Sequence, residues 1–301
     1  MRAVQYQRHG GPEVLEIAEV EEPYAATGQI RIRVHAAGVN AADWKMRDGA
    51  FSGGRPLAKP AGVGLDAAGV VDEVGEGVTG VHVGDRVFGS GRATVAELAV
   101  LTDWARMPHH ISFAEAAATP VPIDTAVRML AAVEAQEGDT VVISGAAGGV
   151  GTAAIQLARS RGMIVIGTAS AANQDYVEAL GALHTTYDEG WVDRVRTLAV
   201  AEVNVGLDVA GAGVLPQLIE LTGDPAKVVS IADFSAPGLG AKVTTGGGDK
   251  RAALEEAVRL FEAGDLRMIV EETYSIEQTP EAQRVSKAGH LRGRAVIEVT
   301  R

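Results

Sequence analysis

The stretch TVVISGAAGGVGTAAIQLA, residues 140–158, carries no charge, over a length close to the roughly 20 apolar residues that cross a bilayer. Its internal order argues against a membrane helix. Val141, Val142 and Ile143 favour a strand, Gly145, Gly148, Gly149 and Gly151 then fall within seven residues, and Ala153, Ala154, Leu157 and Ala158 recur at helical spacing. An interior glycine costs a helix about 1 kcal/mol relative to alanine, so four this close together read as a turn. The segment is strand, turn, helix.

Downstream the pattern repeats roughly every twenty residues, with apolar runs at TVVIS (140), MIVIGT (163), VNVGLDV (203) and AKVVSIAD (226) and a weaker one at LHTTY (183). Helical patterns fill the gaps; the first two stop at Gly162 and Gly181, where glycine suits a left-handed C-terminal cap. Strands alternating with helices imply right-handed crossovers and a parallel sheet. This region is predicted to be a doubly wound α/β domain.

The first 115 or so residues differ. GQIRIRVHAAGV alternates apolar and charged residues from Ile30 to Val34, and GVVDEVGEGVTGVHVGDRVFG gives short valine-rich pieces between glycines, a mostly antiparallel β pattern. A helix is predicted over 249–263, capped by Asp249 and ended by Gly264; after it come MIVEETYS, a helix opened by Thr279 and Pro280, and a last strand RAVIEV. The α/β unit is thus inserted in the middle of the chain.

The 301 residues suffice for two domains. A net charge of −12 and the lack of any Lys/Arg run argue against a nucleic-acid partner. The absence of cysteine removes disulfides, thiolate nucleophiles and cysteine-based zinc sites together. The opening MRAVQYQRHGGPEV has no apolar run of signal-peptide length, and no other segment competes as a membrane span, so a cytoplasmic protein is expected.

A glycine-rich strand-to-helix turn exposes backbone N–H groups at the positive end of a helix, and the missing side chains let a pyrophosphate come close. Gly145, Ala146, Ala147, Gly148, Gly149, Val150 and Gly151 form that turn, so a dinucleotide is the expected ligand. An NAD site usually places Asp or Glu at the end of the next strand to bind the ribose 2′-OH. Here that strand ends IGTAS with no acid before Asp175, so NADPH is preferred. No Lys or Arg lies between Ala169 and Ala182, which leaves Ser170, Asn173 and Tyr187 to hydrogen-bond the 2′-phosphate.

AGVNAADWKMRDG (37–49), GVGLDAAGVVDEVGEGV (62–78), VGDRVFG (83–89), ISGAAGGVGTAAIQLAR (143–159) and AGHLRGRAVIEV (288–299) together resemble the zinc-independent quinone oxidoreductase branch of the medium-chain dehydrogenase/reductase superfamily. The resemblance implies a GroES-like, mostly antiparallel β domain (1–117 plus 265–301), a Rossmann domain inserted into it (118–264), NADPH, and commonly a homodimer. Zinc-dependent members carry Cys where this chain has Asn40 and a His-Glu pair where it has Leu65 and Asp66. The histidines do not replace that set, since none are spaced His-x-x-x-His, and no metal is expected.

The resemblance further implies hydride transfer to a quinone or to the β-carbon of an α,β-unsaturated carbonyl, with fixed donors meeting the charge that develops on the substrate oxygen. Asn40 is expected to position nicotinamide or substrate, Lys45 to face the developing enolate, and Asp43 to orient them. Alternatively Asn40 caps the short helix that follows and Lys45 is a solvated helix residue. Thr125 matches the family's Thr-Ala near the start of the Rossmann domain, Tyr187 a tyrosine near the adenosine phosphate, and Ile231, Ala232 and Asp233 a turn passing the nicotinamide. Val127 replaces the aromatic that usually follows Thr-Ala, and GRATVAELAV lacks the family's tyrosine. Two other functions stay open: an enoyl reductase dedicated to one biosynthetic intermediate, and a non-enzymatic NADPH-binding structural or sensor protein. FGSGR is not the G-x-S-x-G elbow of a serine hydrolase.

Overall fold

The computed structural model describes residues 1–299. In chain order its strands are β1 (Arg2–Tyr6), β2 (Leu15–Glu19), β3 (Ile30–Gly38), β4 (Ala61–Gly62), β5 (Asp66–Val74), β6 (Arg86–Gly91) and β7 (Leu98–Arg106). There follow β8 (Thr140–Ser144), β9 (Ile164–Thr168), β10 (Leu183–Thr185), β11 (Val205–Asp208), β12 (Val228–Ser230), β13 (Lys242–Val243), β14 (Val270–Ser275) and β15 (Arg294–Glu298). The helices are α1 (Ala41–Arg47), α2 (Phe113–Ala117), α3 (Pro120–Ala132), α4 (Gly149–Ser160), α5 (Gln174–Ala179), α6 (Trp191–Leu198), α7 (Leu215–Thr222), α8 (Lys250–Ala263) and α9 (Thr279–Ala288). Two compact units result: Met1–Val121, Lys250–Arg259 and the residues from Met268 onward form one, and Pro122–Asp249 with Leu260–Arg267 the other.

In the first unit, β3 shows the alternation its sequence predicts: Ile30, Ile32 and Val34 are buried while Arg31 and Arg33 turn outward. The inward residues join Ala67, Val71, Val87, Ala99 and Leu101 in one core. β3 pairs antiparallel with β5 along its length and also with β7 at Ile30–Arg33. The sheet β3-β5-β6-β7 therefore closes on itself, leaving no edge at that point. β15 adds antiparallel to β3 and β14 parallel to β15, so the C-terminal segment completes the sheet begun by the N-terminal one. A small separate sheet has the order β2-β1-β4.

The second unit is a six-stranded sheet in which every neighbouring pair is parallel, in the order β10-β9-β8-β11-β12-β13. Numbered from its own first strand this is 3-2-1-4-5-6, the dinucleotide-binding order, and it reverses direction beside β8. β8, β11 and β12 are buried throughout, as strands covered on both faces must be. The packing cluster around Val142, Ile166, Trp191, Leu215, Leu218 and Val228 covers one face. The sequence shows no sixth strand, because β13 is only two residues long and has no period to read. Among the described residues no helix is long and apolar enough to cross a membrane.

Candidate functional site

The glycine turn lies at the C-terminal end of β8, where the strand order reverses. Gly145 has φ of +85°, a left-handed conformation that glycine reaches without steric cost. The turn is fastened to the neighbouring strand by the Ala146 N–H, which donates to the Thr168 carbonyl at 3.1 Å. At Gly151 a Cβ would stand 2.3 Å from the Gly145 carbonyl oxygen, so only glycine lets α4 pack this close to the turn. Gly148 is different. Its backbone is ordinary extended (φ −78°, ψ 174°), and a Cβ there would meet nothing nearer than the Gly145 oxygen at 3.7 Å. Space is thus left open at the N-terminus of α4, where the first-turn N–H groups have no acceptor within the helix. One glycine makes the turn, one seats the helix, and one opens the face to an anion.

Ile231–Asp233 follows β12 at the same end of the sheet. Its shape comes from a buried pair not noticed in the sequence: the Ser230 hydroxyl donates to Asp208 Oδ2 at 2.7 Å and accepts the backbone N–H groups of Ala232 and Asp233 at 3.1 and 2.8 Å. Asp208 also takes the Gly211 N–H at 2.9 Å. Ser170 and Asn173 follow β9 and touch, Asn173 Nδ2 donating to Ser170 Oγ at 3.1 Å. Tyr187 is 61% exposed. Its loop is tied down by Arg194, whose guanidinium donates to Thr185 Oγ1, to the carbonyls of Thr186, Asp188 and Glu189, and to the Asp188 carboxylate. Arg194 lies outside the stretch searched in the sequence for cations, and no local motif marks it. Thr125 is buried on α3 and its hydroxyl accepts from Arg128 at 3.2 Å.

The first unit holds a second group. Asn40 precedes α1 and is buried, as are Asp43, Asp66 and Arg294. Asp43 Oδ2 accepts the Asn40 backbone N–H at 2.7 Å, so the carboxylate three residues on caps the helix entrance. Asn40 is the N-cap of α1 and stands in a capping box with Asp43, as the capping alternative expected; its Nδ2 also donates to Asp66 Oδ2 at 3.1 Å, and Oδ1, on the side of the Asp43 backbone, is buried without a well-formed hydrogen bond. Arg294, at the start of β15, pairs with the same Asp66 oxygen at 3.3 Å. Gly38 permits this approach, because a Cβ there would stand 2.8 Å from Arg294 Nη2 and 3.0 Å from Asp66 Oδ2.

Two carboxyls lie in this dry setting, and the Arg294 guanidinium pairs with one of them, Asp66. Burial pushes Asp43 up to about 7, with the Asp66 charge adding to the rise and Asn40 and Arg294 opposing it. Burial likewise raises Asp66 to about 6 against the pull of Arg294 and the Asn40 amide. Lys45 is not part of the cluster. It lies about 200° around the helix from Asp43, with Nζ 5.6 Å from the Trp44 ring centre. Among the described residues, no three His, Cys, Asp or Glu side chains are grouped to hold a metal ion.

Family models match both halves of this arrangement: an alcohol dehydrogenase GroES-like domain over residues 26–121 and a zinc-binding dehydrogenase domain over residues 149–246. The mouse quinone oxidoreductase is 34% identical over 69% of this chain and 65% of its own length. The Escherichia coli quinone oxidoreductase, solved in complex with NADPH, superposes with a TM-score of 0.86 at 25% identity, over 99% of this chain and all of the other. The chain belongs to the quinone oxidoreductase branch of the medium-chain dehydrogenase/reductase superfamily. It is also similar to a spectinabilin polyketide synthase system protein from Streptomyces orinoci, 34% identical over 90% of this chain and 13% of that protein. The chain spans a little under two thirds of the length of the curated mammalian relatives it matches.

Proposed function

We propose that this protein is a zinc-independent reductase that binds NADPH and passes a hydride to a quinone or to the β-carbon of an α,β-unsaturated carbonyl. The observation that carries the reading is the open face at Gly148, set between the Gly145 turn and the tightly seated Gly151 at the point where the strand order reverses. The residues present fit a dinucleotide: backbone N–H groups of Gly145–Gly151 for the pyrophosphate, Ser170, Asn173 and Tyr187 for the 2′-phosphate, Thr125 and Ile231–Asp233 for the rest. When bound, NADPH supplies the hydride. No carboxylate stands at the end of β9 to repel a 2′-phosphate, which favours NADPH over NADH.

The residues do not fit a zinc ion. The chain has no cysteine, Asn40 and Leu65 are not zinc ligands, and Asp66 is committed to Arg294 and Asn40. In our reading Asn40, oriented by Asp43, positions the reacting groups, and Lys45 turns toward the substrate oxygen only if its side chain leaves Trp44. We read the catalytic domain as 1–117 with 265–301 and the nucleotide domain as 118–264, although Lys250–Arg259 packs with the first unit, and the protein as a cytoplasmic homodimer. Sedimentation of the purified protein tests the last point.

A second reading, an enoyl reductase dedicated to one biosynthetic intermediate, is favoured by the long match to the polyketide synthase protein. Fluorescence titration with NADPH and NADH, followed by a quinone and a simple enone, tests both. Tighter NADPH binding with oxidation by either acceptor is expected; turnover of a single enone alone selects the second reading, and no binding of either nucleotide overturns both. Asn40→Ala is expected to lower kcat about 10- to 100-fold with the NADPH dissociation constant within about twofold. Unchanged kinetics at saturating acceptor remove Asn40 from the site.

A further inference from the structure

The buried group around Asn40 contains more charge than the family's reaction explains. Asp43 and Asp66 are both enclosed; of the two buried guanidiniums here, Arg294 pairs with Asp66 and Arg47 with Asp48. Asp43 has no ion-pair partner among the described residues, and a carboxyl buried in that way is pushed toward its protonated form. The Asn40 carboxamide stands against both acids: its Nδ2 donates to Asp66, and the same side chain stabilises the Asp43 anion. An ionised carboxylate can only accept, so the amide nitrogen must face it, and this decides which way round the carboxamide sits. The oxygen, Asn40 Oδ1, is then left without a hydrogen bond, as are Asp43 Oδ1, Asp66 Oδ1 and Arg294 Nε in the same cluster. A buried acceptor lacking a donor is costly, and a ligand N–H or O–H brought to it would recover that cost.

We propose that Asp66, backed by Arg294, is a positioning residue that holds the Asn40 amide nitrogen and so presents the Asn40 oxygen as a fixed hydrogen-bond acceptor. Resting on the reductase reading, this changes what Asn40 does there. It accepts from a ligand donor, such as the amide of a nicotinamide ring or a ribose hydroxyl, and does not donate to a developing enolate. The orientation is proton-linked. When Asp66 gains a proton it can donate, the reason for the amide nitrogen to face it is lost, and the carboxamide is free to turn. The charged and titratable groups interacting with this pair are Arg294, Lys250 and Tyr6, the buried Arg47 also acts on Tyr6, and the Val121 N–H points toward Asp66.

The first test needs neither a variant of Asp66 nor catalysis. Protein labelled with 15N at asparagine is titrated from about pH 5 to about pH 9, a range that brackets both perturbed carboxyls, and the Asn40 side-chain amide is identified by its absence from Asn40→Ala. A shift of that resonance with pH, abolished in Asp66→Asn, is expected; a flat response overturns the proton-linked orientation. The second test is kinetic. Asp66→Asn, isosteric but able to donate to Asn40 Oδ1, is expected to lower kcat about 10- to 100-fold with little change in KM and to lose the acid limb of the wild-type kcat profile. A folded Asp66→Asn with wild-type kcat and an unchanged acid limb overturns the positioning role. A wild-type protein that reduces no acceptor overturns the reductase reading, while the amide titration still decides the geometry.

Discussion

Gly148→Asp is expected to raise the NADPH dissociation constant at least about 100-fold in a protein that stays fully folded. Gly148 is the N-cap of α4 and has extended backbone angles that any residue adopts, and a Cβ there meets no atom within 3.6 Å. Aspartate is among the best N-cap residues, because its carboxylate accepts the free N–H groups of the first turn, so the helix is stabilised by a few tenths of a kcal/mol relative to glycine. Those same N–H groups are what the cradle offers a pyrophosphate. The variant therefore fills the anion position with its own anion. Two unit charges about 4 Å apart repel by about 4 kcal/mol at an effective dielectric constant of about 20, or about 1,000-fold in binding; screening by solvent reduces this toward 100-fold. Fluorescence titration and a thermal melt on the same sample are the measurement. Wild-type NADPH affinity in a variant that melts no lower than the parent removes the cradle from these glycines. Gly151→Ala is the contrasting case, since its methyl group collides with the Gly145 and Ala146 carbonyls and damages the packing of α4 itself.

Much of this architecture can be read from residue order, because the information is local. Val141–Ile143, the four glycines and the alanine-rich stripe after them each bias their own neighbourhood, and the alternation Ile30, Ile32, Val34 is the period of a half-buried strand. What escapes the sequence is either too short to carry a period, as with Lys242–Val243, or assembled from distant pieces. Ser230 shows nothing in its own segment to say that its hydroxyl will be gripped by Asp208 and will shape the turn at Ile231–Asp233. Arg194 is eight residues beyond the loop carbonyl of Thr186 that it holds. The Asn40 group is the extreme case: Asp66 is 26 residues from Asn40, and Arg294 is 228 from Asp66. The motif containing Arg294 is visible in the sequence as AGHLRGRAVIEV, but its pairing exists only because β15 adds to β3 and places residue 294 beside Gly38. Helix periodicity could have shown that Lys45 and Asp43 diverge, since residues two apart on a helix do not share a face.

Arg294→Met is expected to destabilise the unit containing it by about 3–5 kcal/mol at pH 8, because it leaves Asp66 buried without its cation; at the usual size dependence this lowers that unit's melting temperature by about 10 °C. The loss should depend on pH, and its sign follows from the direction of the carboxyl shifts. Asp66 is raised from 3.8 to about 6 and Asp43 from 3.8 to about 7 in the folded protein. Each therefore binds its proton more tightly folded than unfolded, and its contribution to stability is complete below pH 4 and is lost as pH rises through the folded value. Removing Arg294 takes away a group that holds the Asp66 carboxyl down, so its folded value rises further and the unfavourable window extends upward. The variant should approach wild-type stability near pH 5, where Asp66 can be neutral in both proteins, and fall away from it above pH 7. Carboxylates held low by partners near the surface, such as Glu277 beside Arg2 and Asp85 on the His82 N–H with Arg106 nearby, lose their contribution only below pH 4 and do not enter this window. Melting curves of the two proteins across pH 5–8 decide the matter. A deficit constant over that range means that methionine has merely packed badly, whereas a deficit that closes in acid shows that Arg294 is there to keep Asp66 ionised.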